Sequence, residues 1–176
     1  IPLTVGGGIR SLEDVSLLLE AGADKVSIGS AGVSRPELLA EIAREHGNQI
    51  LVISLDIKRA ASASGFVVTS HGGRQETGLD AMQWIEKVQG LGAGELLINS
   101  IDADGTREGF DLELIEKVRK IAAVPIIASG GAGKVPDFVE AAQAGADALL
   151  AASVFHSGEI SIAQVKQALE EVGIEA

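Results

Sequence analysis

Two pairs of glycines and a small set of carboxylates carry the chemistry this sequence offers. Gly7-Gly8 follows one short apolar run, and Gly130-Gly131 follows another, 123 residues further on. Glycine directly after a strand lets the backbone approach a ligand closely, and the N–H groups opening the next helix point at whatever lies there. Each pair has a companion, Gly29-Ser30 for the first and Ala152-Ser153 for the second, with Ser30 returning as Ser153 at the same offset. With Ser129, these loops are expected to bind phosphate, and two matched pairs imply a ligand with a phosphate at each end. The competing reading, that the glycines only make tight βα turns, suits a single loop better than two matched ones. Two nucleotide motifs are excluded. Gly6-Gly7-Gly8 fails G-x-G-x-x-G because Ser11 stands at the last position, and Gly133-Lys134 fails the P-loop because Ala128 replaces its first glycine and Val135 follows the lysine.

Asp56 closes the most apolar run of the chain, residues 51–55, and a carboxylate at a strand end is placed for general acid/base work. A surface pair with Lys58 or Arg59 is its bland alternative. Asn99, Asp102 and Asp104 follow the next strand in the same way, although Asp104-Gly105 is also a turn signal. Lys25 and Glu95 stand at strand starts, where opposed charges form a partly buried ion pair or, as the sharper reading, line a polar pore. His46, His71 and His156 share no metal-ligand spacing, so neither a metal nor another cofactor is expected, and His46 suits a helix end.

These residues need elements to hold them. Strand-like runs at 3–5, 25–28, 50–55, 95–99, 125–128 and 148–151 alternate with helix-period segments at 12–21, 36–45, 79–91, 111–121, 136–144 and 161–171. That alternation predicts βα units around a parallel sheet covered on both faces. Ser11 caps the first helix, with Glu13 and Asp14 in its first turn, and Pro36 and Pro136 fit first helical positions. A small-residue stretch, 60–65, predicts a hairpin turn into a short extra strand at 66–69. Ala21-Gly22-Ala23-Asp24 recurs as Ala144-Gly145-Ala146-Asp147, so the whole unit of strand, glycine loop, helix and turn is duplicated. A repeat of this length corresponds to four βα units, and hence to a parent of eight: a (β/α)8 barrel of about 250 residues. The expectation is a single partial barrel domain over residues 1–176, comprising strands three to eight, with the first two units lying ahead of Ile1.

Composition narrows the function. With 46% hydrophobic residues and a mean hydropathy of +0.28, the chain has the makings of a folded core. No apolar run is long enough to span a bilayer, and no basic segment precedes the first apolar stretch as in a signal peptide. The net charge of −11 repels nucleic acid. Cysteine is absent, which excludes disulfides and thiol catalysis and suits a cytoplasmic location.

The segments Val5-Gly6-Gly7-Gly8-Ile9-Arg10, Asp56-Ile57-Lys58-Arg59, Ser100-Ile101-Asp102-Ala103-Asp104-Gly105-Thr106, Ala128-Ser129-Gly130-Gly131-Ala132-Gly133 and Ala151-Ala152-Ser153-Val154-Phe155-His156 together resemble a known family. It is the cyclase subunit of imidazole glycerol phosphate synthase, from histidine biosynthesis. The resemblance covers the whole chain. It implies a lyase on a (β/α)8 barrel that binds a ribulosyl formimino aminoimidazole carboxamide ribonucleotide phosphorylated at both ends. Ammonia from a glutaminase docked at the barrel bottom passes through the core and adds to this substrate, releasing imidazole glycerol phosphate and aminoimidazole carboxamide ribonucleotide. Of the family's two catalytic aspartates, Asp56 matches the one after the fifth strand, and the other belongs to a first strand outside these 176 residues. Low activity of the chain alone is therefore expected, as is self-association through open barrel edges. Lys25 and Glu95 match the charged ring at the ammonia entrance, and Asp24 matches a residue facing the glutaminase. Gly29 departs from the family's usual Asn, and the 70–77 loop differs in detail.

Two alternatives stand beside this. The sister isomerase of the same pathway shares barrel, loops and bisphosphate substrate but needs no ammonia, so Asp24, Lys25 and Glu95 favour the cyclase. A non-catalytic bisphosphate-binding fragment would bind the ligand without turning it over.

Overall fold

Short β-rich runs bounded by glycine turns form the strands, and amphipathic segments opened by Ser11, Asp80, Asp111 and Ser161 form the helices between them. In the computed structural model, which describes residues 1–175, the first half contains β1 (Thr4–Gly6), α1 (Leu12–Glu20), β2 (Lys25–Ile28), α2 (Ser30–Ser34), α3 (Glu37–His46) and β3 (Leu51–Arg59). A two-strand excursion follows, β4 (Phe66–Ser70) and β5 (Gln75–Asp80), then α4 (Ala81–Gly90), β6 (Glu95–Ser100) and α5 (Leu112–Arg119). The chain continues through β7 (Ile126–Ser129), α6 (Val135–Gln143), β8 (Ala148–Leu150), α7 (Ser153–His156) and α8 (Ile162–Glu171). Six strands pair in the order β1-β2-β3-β6-β7-β8, every pair parallel. This is the α/β architecture of a partial (β/α)8 barrel, and among the described residues β1 and β8 each have one strand neighbour. No helix among the described residues is long and apolar enough to cross a membrane.

All six expected strands are present, and the structure adds to them. β3 runs on past residue 55 to Arg59 because its last four residues pair antiparallel with β4, so Asp56 lies within the strand rather than closing it. β5 was not expected: residues 75–80, Gln-Glu-Thr-Gly-Leu-Asp, have little strand propensity, and pairing to β4 imposes the extended form. Consequently α4 starts at Ala81 rather than 79, capped by Asp80, whose Oδ1 accepts from the Met82 and Gln83 N–H groups. Pro36 is the N-cap of α3 and Pro136 the second residue of α6, each one place from its expected position.

The 123-residue repeat extends to hydrogen bonding. Asp24 Oδ2 accepts the Leu3 N–H at 2.7 Å, and Asp147 Oδ2 accepts the Ile126 N–H at 2.8 Å, each carboxylate fastening the start of the preceding strand. Asp14 Oδ2 accepts from the Arg10 and Ser11 N–H groups at 2.8 and 3.0 Å, and Asp137 Oδ2 accepts from Gly133 and Lys134, both at 2.9 Å. Those bonds, with Arg10 foremost and then Ser11, hold the Asp14 carboxyl below its ordinary range. Each glycine loop is thus tied to the helix after it by one acid.

One core cluster joins β2, β3 and β6 to α1, α3 and α4 through residues such as Ile28, Leu39, Leu55, Ile85 and Leu96. A second joins β7 to α6, α7 and α8 through Ala128, Phe138, Val154 and Leu169. Trp84, on α4, is buried in the first with its indole N–H unpartnered and the Lys87 Nζ 5.1 Å from its ring centre.

Candidate functional site

Parallel register lines up the strand ends. Asp56 on β3 pairs with Asn99 on β6, Asn99 with Ser129 on β7, and Ser129 with Leu150 on β8, so one row crosses the sheet at a single level. A cleft of about 710 Å³ opens at one end of this row, lined by Gly7, Gly8, Gly29, Ser30, Asp56 and His71 among others. A smaller one of about 200 Å³ opens at the other end, with Asp104, Ser129, Gly130, Gly131, Ala152 and Ser153 in its walls. Gly7, Gly8, Gly130 and Gly131 have φ of 95°, 77°, 92° and 104°, a left-handed path that glycine adopts without strain and that turns the chain sharply off β1 and β7. A Cβ on Gly131 would collide with the Gly109 carbonyl, and the Gly109 N–H donates to the Gly131 carbonyl at 2.9 Å. Each cleft also receives the start of a short helix, α2 capped by Gly29 and α7 by Ala152.

The pairing of Asp56 with Lys58 or Arg59 does not occur. Alternation turns Arg59 to the opposite face of β3, and Lys58, which shares the face of Asp56, is taken elsewhere. Lys58 meets Glu76 on β5, and Arg59 forks to Asp111 and Glu113 at 2.7 and 2.6 Å. The Glu113 hydrogen bond, with help from Asp111, raises the Arg59 guanidinium above its ordinary value, and Glu113 is lowered by Arg59 and then Lys117. Asp56 instead accepts a hydrogen bond from Asn99 Nδ2 at 3.0 Å, and its carbonyl accepts from Thr69 Oγ1 at 2.9 Å. It is half-buried and oriented, and no salt bridge holds it among the described residues.

Asp102 and Asp104 part company. Asp104 lines the second cleft, whereas Asp102 lies in a separate shallow groove, its Oδ2 accepting the Arg59 N–H at 2.7 Å. At the opposite ends of the strands, Lys25 on β2 and Glu95 on β6 form the ion pair expected of them, bridging across β3 with side chains 31% and 20% exposed. Asp24 beside it is engaged with the Leu3 N–H. His46 ends α3 with its Nε2 3.3 Å from Ser16 Oγ, and no group of potential metal ligands occurs among the described residues.

Sequence reasoning missed His71. Its N–H donates to Ser30 Oγ at 2.9 Å and its Nδ1 lies 3.1 Å from Ser70 Oγ, so it joins the β4–β5 connection to the first cleft. Its φ of 55° beside two glycines is visible only once β5 folds back. Arg10 and Arg35 also line that cleft, as Arg107 does the second.

Fold and site define a class: a partial (β/α)8 barrel whose strand ends carry two matched glycine-loop clefts, the larger with an oriented carboxylate in its wall. A family profile described as histidine biosynthesis protein matches residues 1–161. The imidazole glycerol phosphate synthase subunit HisF of Leifsonia xyli subsp. xyli is 66% identical over 99% of this chain and 69% of its own length. The HisF subunits of Thermobifida fusca and Beutenbergia cavernae are 62% and 58% identical, over 98% and 99% of this chain and 69% and 70% of theirs. The chain belongs to the histidine biosynthesis protein family, alongside these HisF subunits.

Proposed function

We propose that this chain is a cyclase subunit of imidazole glycerol phosphate synthase. It binds a bisphosphate ribonucleotide across the two clefts and cleaves and cyclises it with ammonia, giving imidazole glycerol phosphate and aminoimidazole carboxamide ribonucleotide. The observation that carries this reading is the register row: Asp56, Asn99 and Ser129 are consecutive strand partners running from one cleft toward the other. A ligand with a phosphate in each cleft lies over Asp56, which then serves as one half of an acid/base pair, with Asn99 fixing its carboxyl. Gly7, Gly8, Gly29, Ser30, Ser129, Gly130, Gly131, Ala152 and Ser153 supply backbone N–H and hydroxyl donors to the phosphates, and Asp104 borders the second. No sequence feature calls for a metal or other cofactor.

Lys25, Glu95 and Asp24 mark the opposite face, where a glutaminase partner delivers ammonia past the ion pair into the sheet interior. The HisF relatives favour this over an isomerase, which has no use for that face. A cytoplasmic setting, where such a biosynthetic enzyme meets its substrates, goes with the reading.

Calorimetric titration with the bisphosphate ribonucleotide tests binding, and turnover with ammonium salt tests chemistry. Saturable binding that Gly131→Ala weakens is expected. Heat of binding that is absent, or indifferent to that substitution, overturns the cleft assignment. Aminoimidazole carboxamide ribonucleotide released from the ligand without ammonia overturns the cyclase.

A further inference from the structure

The two clefts share loops but not cations. The first has Arg10 and Arg35 in its wall, the latter forked to Glu41 at 2.6 Å, whereas no ion pair holds Arg10 among the described residues. The repeat places Gly133 where the first cleft has Arg10, so the second cleft lacks that charge. Its one cationic wall residue is Arg107, against the carboxylate of Asp104. Arg107 is one of two non-glycine residues among the described ones with left-handed φ, 61°, and the other, His71, stands at the first cleft. Such strain persists where surrounding structure enforces it, and the Arg107 backbone packs tightly against Gly133.

The Arg107 guanidinium does not stand free. Its Nη1 lies 3.1 Å from both carboxylate oxygens of Glu159, outside the cleft wall, with the two side chains 46% and 48% exposed. An ion pair this exposed is weak. Glu159 also accepts from Ser157 Oγ at 2.7 Å, which leaves its carboxylate a partner if the arginine departs. The Ser157 bond, ahead of Arg107, holds the Glu159 carboxyl below its ordinary range. A phosphate dianion offers arginine the same bidentate, charge-assisted geometry with more charge than a single carboxylate carries.

We propose that Glu159 holds Arg107 in reserve, and that a phosphate entering the second cleft displaces Glu159 and takes the guanidinium. This rests on reading the clefts as phosphate sites. It makes Arg107 the residue that distinguishes the two ends of a ligand whose phosphates meet near-identical loops, and Glu159 the competitor that sets the affinity of one end.

The test is a 1H–15N NMR titration of the 176-residue chain with inorganic phosphate at constant ionic strength. The amides of Gly130, Gly131 and Ser153 report the second cleft, and those of Gly7, Gly8 and Ser30 the first. Arg107→Met is expected to weaken phosphate at the second cleft about tenfold, and Glu159→Gln to tighten it about threefold, with the first cleft unchanged by either. Both side chains are exposed, and the opposite signs separate the effect from general loss of structure. Second-cleft affinity indifferent to both substitutions overturns the proposal and leaves the phosphate reading standing. Weakening by Arg107→Met without tightening by Glu159→Gln makes Arg107 a simple ligand and overturns the exchange. Phosphate that moves neither set of amides in the unsubstituted chain overturns both readings together.

Discussion

Asp56 is the residue on which chemistry turns, and its environment sets what removing it should do. Asparagine keeps the shape and the neighbouring Asn99, so Asp56→Asn should leave bisphosphate affinity within about threefold while lowering ammonium-dependent turnover roughly 10²- to 10⁴-fold. Steady-state kinetics on this chain, and on the longer Leifsonia xyli relative carrying the matching substitution, read both quantities. The candidacy of Asp56 was legible because an acid ends the most apolar run of the chain. Its surroundings were not. Sequence proximity suggested Lys58 and Arg59 as partners, but alternation turns Arg59 to the other face and Glu76 on β5 draws Lys58 away, and the true partner sits 43 positions along the chain, brought alongside by β3–β6 register. Asp102 and Asp104, two positions apart, fall in different hollows for a similar local reason, since turn geometry between them cannot be read from residue type.

Among the elements, the β3–β4–β5 excursion is the piece the alternating pattern concealed. Its first turn, residues 60–65, was visible from its small residues, yet β5 was hidden by a polar composition that only pairing to β4 makes extended. Asp80 secures it. Burial raises its carboxyl, but the Ser64 N–H, with further bonds from Ser64, Gln83 and Ser62, outweighs that and holds it at about 2 against an ordinary 3.8. A depressed folded-state value stabilises the fold above the unfolded value, and that contribution is lost as pH falls from about 4 towards 2. Asp80→Asn should therefore flatten the acid limb of stability in that window, and Asp80→Ala should cost about 1–2 kcal/mol at neutral pH through the lost α4 cap, both measured by urea unfolding. From the other side Lys117 Nζ donates to the Ser64 carbonyl at 3.0 Å and lies 5.0 Å from the Phe66 ring centre, so α5 holds the same turn. The repeat needs no such excursion, and its copies match down to individual carboxylates because each glycine loop demands the same N–H acceptors.

At the scale of the molecule, the two ends of the parallel strands divide the work: clefts at one end, the Lys25–Glu95 pair at the other. Lys25→Met should lower glutamine-dependent turnover with the partner more than ammonium-dependent turnover, and equal losses would count against a gating role. Among the described residues the sheet has two edges with no further strand, with Leu3 beside β1 and Leu150 on β8 exposed at 54% and 41%. Unpaired edges with apolar side chains recruit further strands. Sedimentation velocity on this 176-residue chain should show concentration-dependent association, which lysine at positions 3 and 150 reduces. One feature gives the whole fold an optical reporter. The chain has a single Trp and no Tyr, so its near-ultraviolet emission comes almost wholly from Trp84 on α4, buried in the core cluster of β2, β3 and β6 and absent from both cleft walls. Filling either cleft should leave that emission quiet, while unfolding shifts it to the red as the indole meets water. Fluorescence melts with and without ligand can therefore be compared directly, since any change in midpoint reports linkage rather than a change in the signal itself.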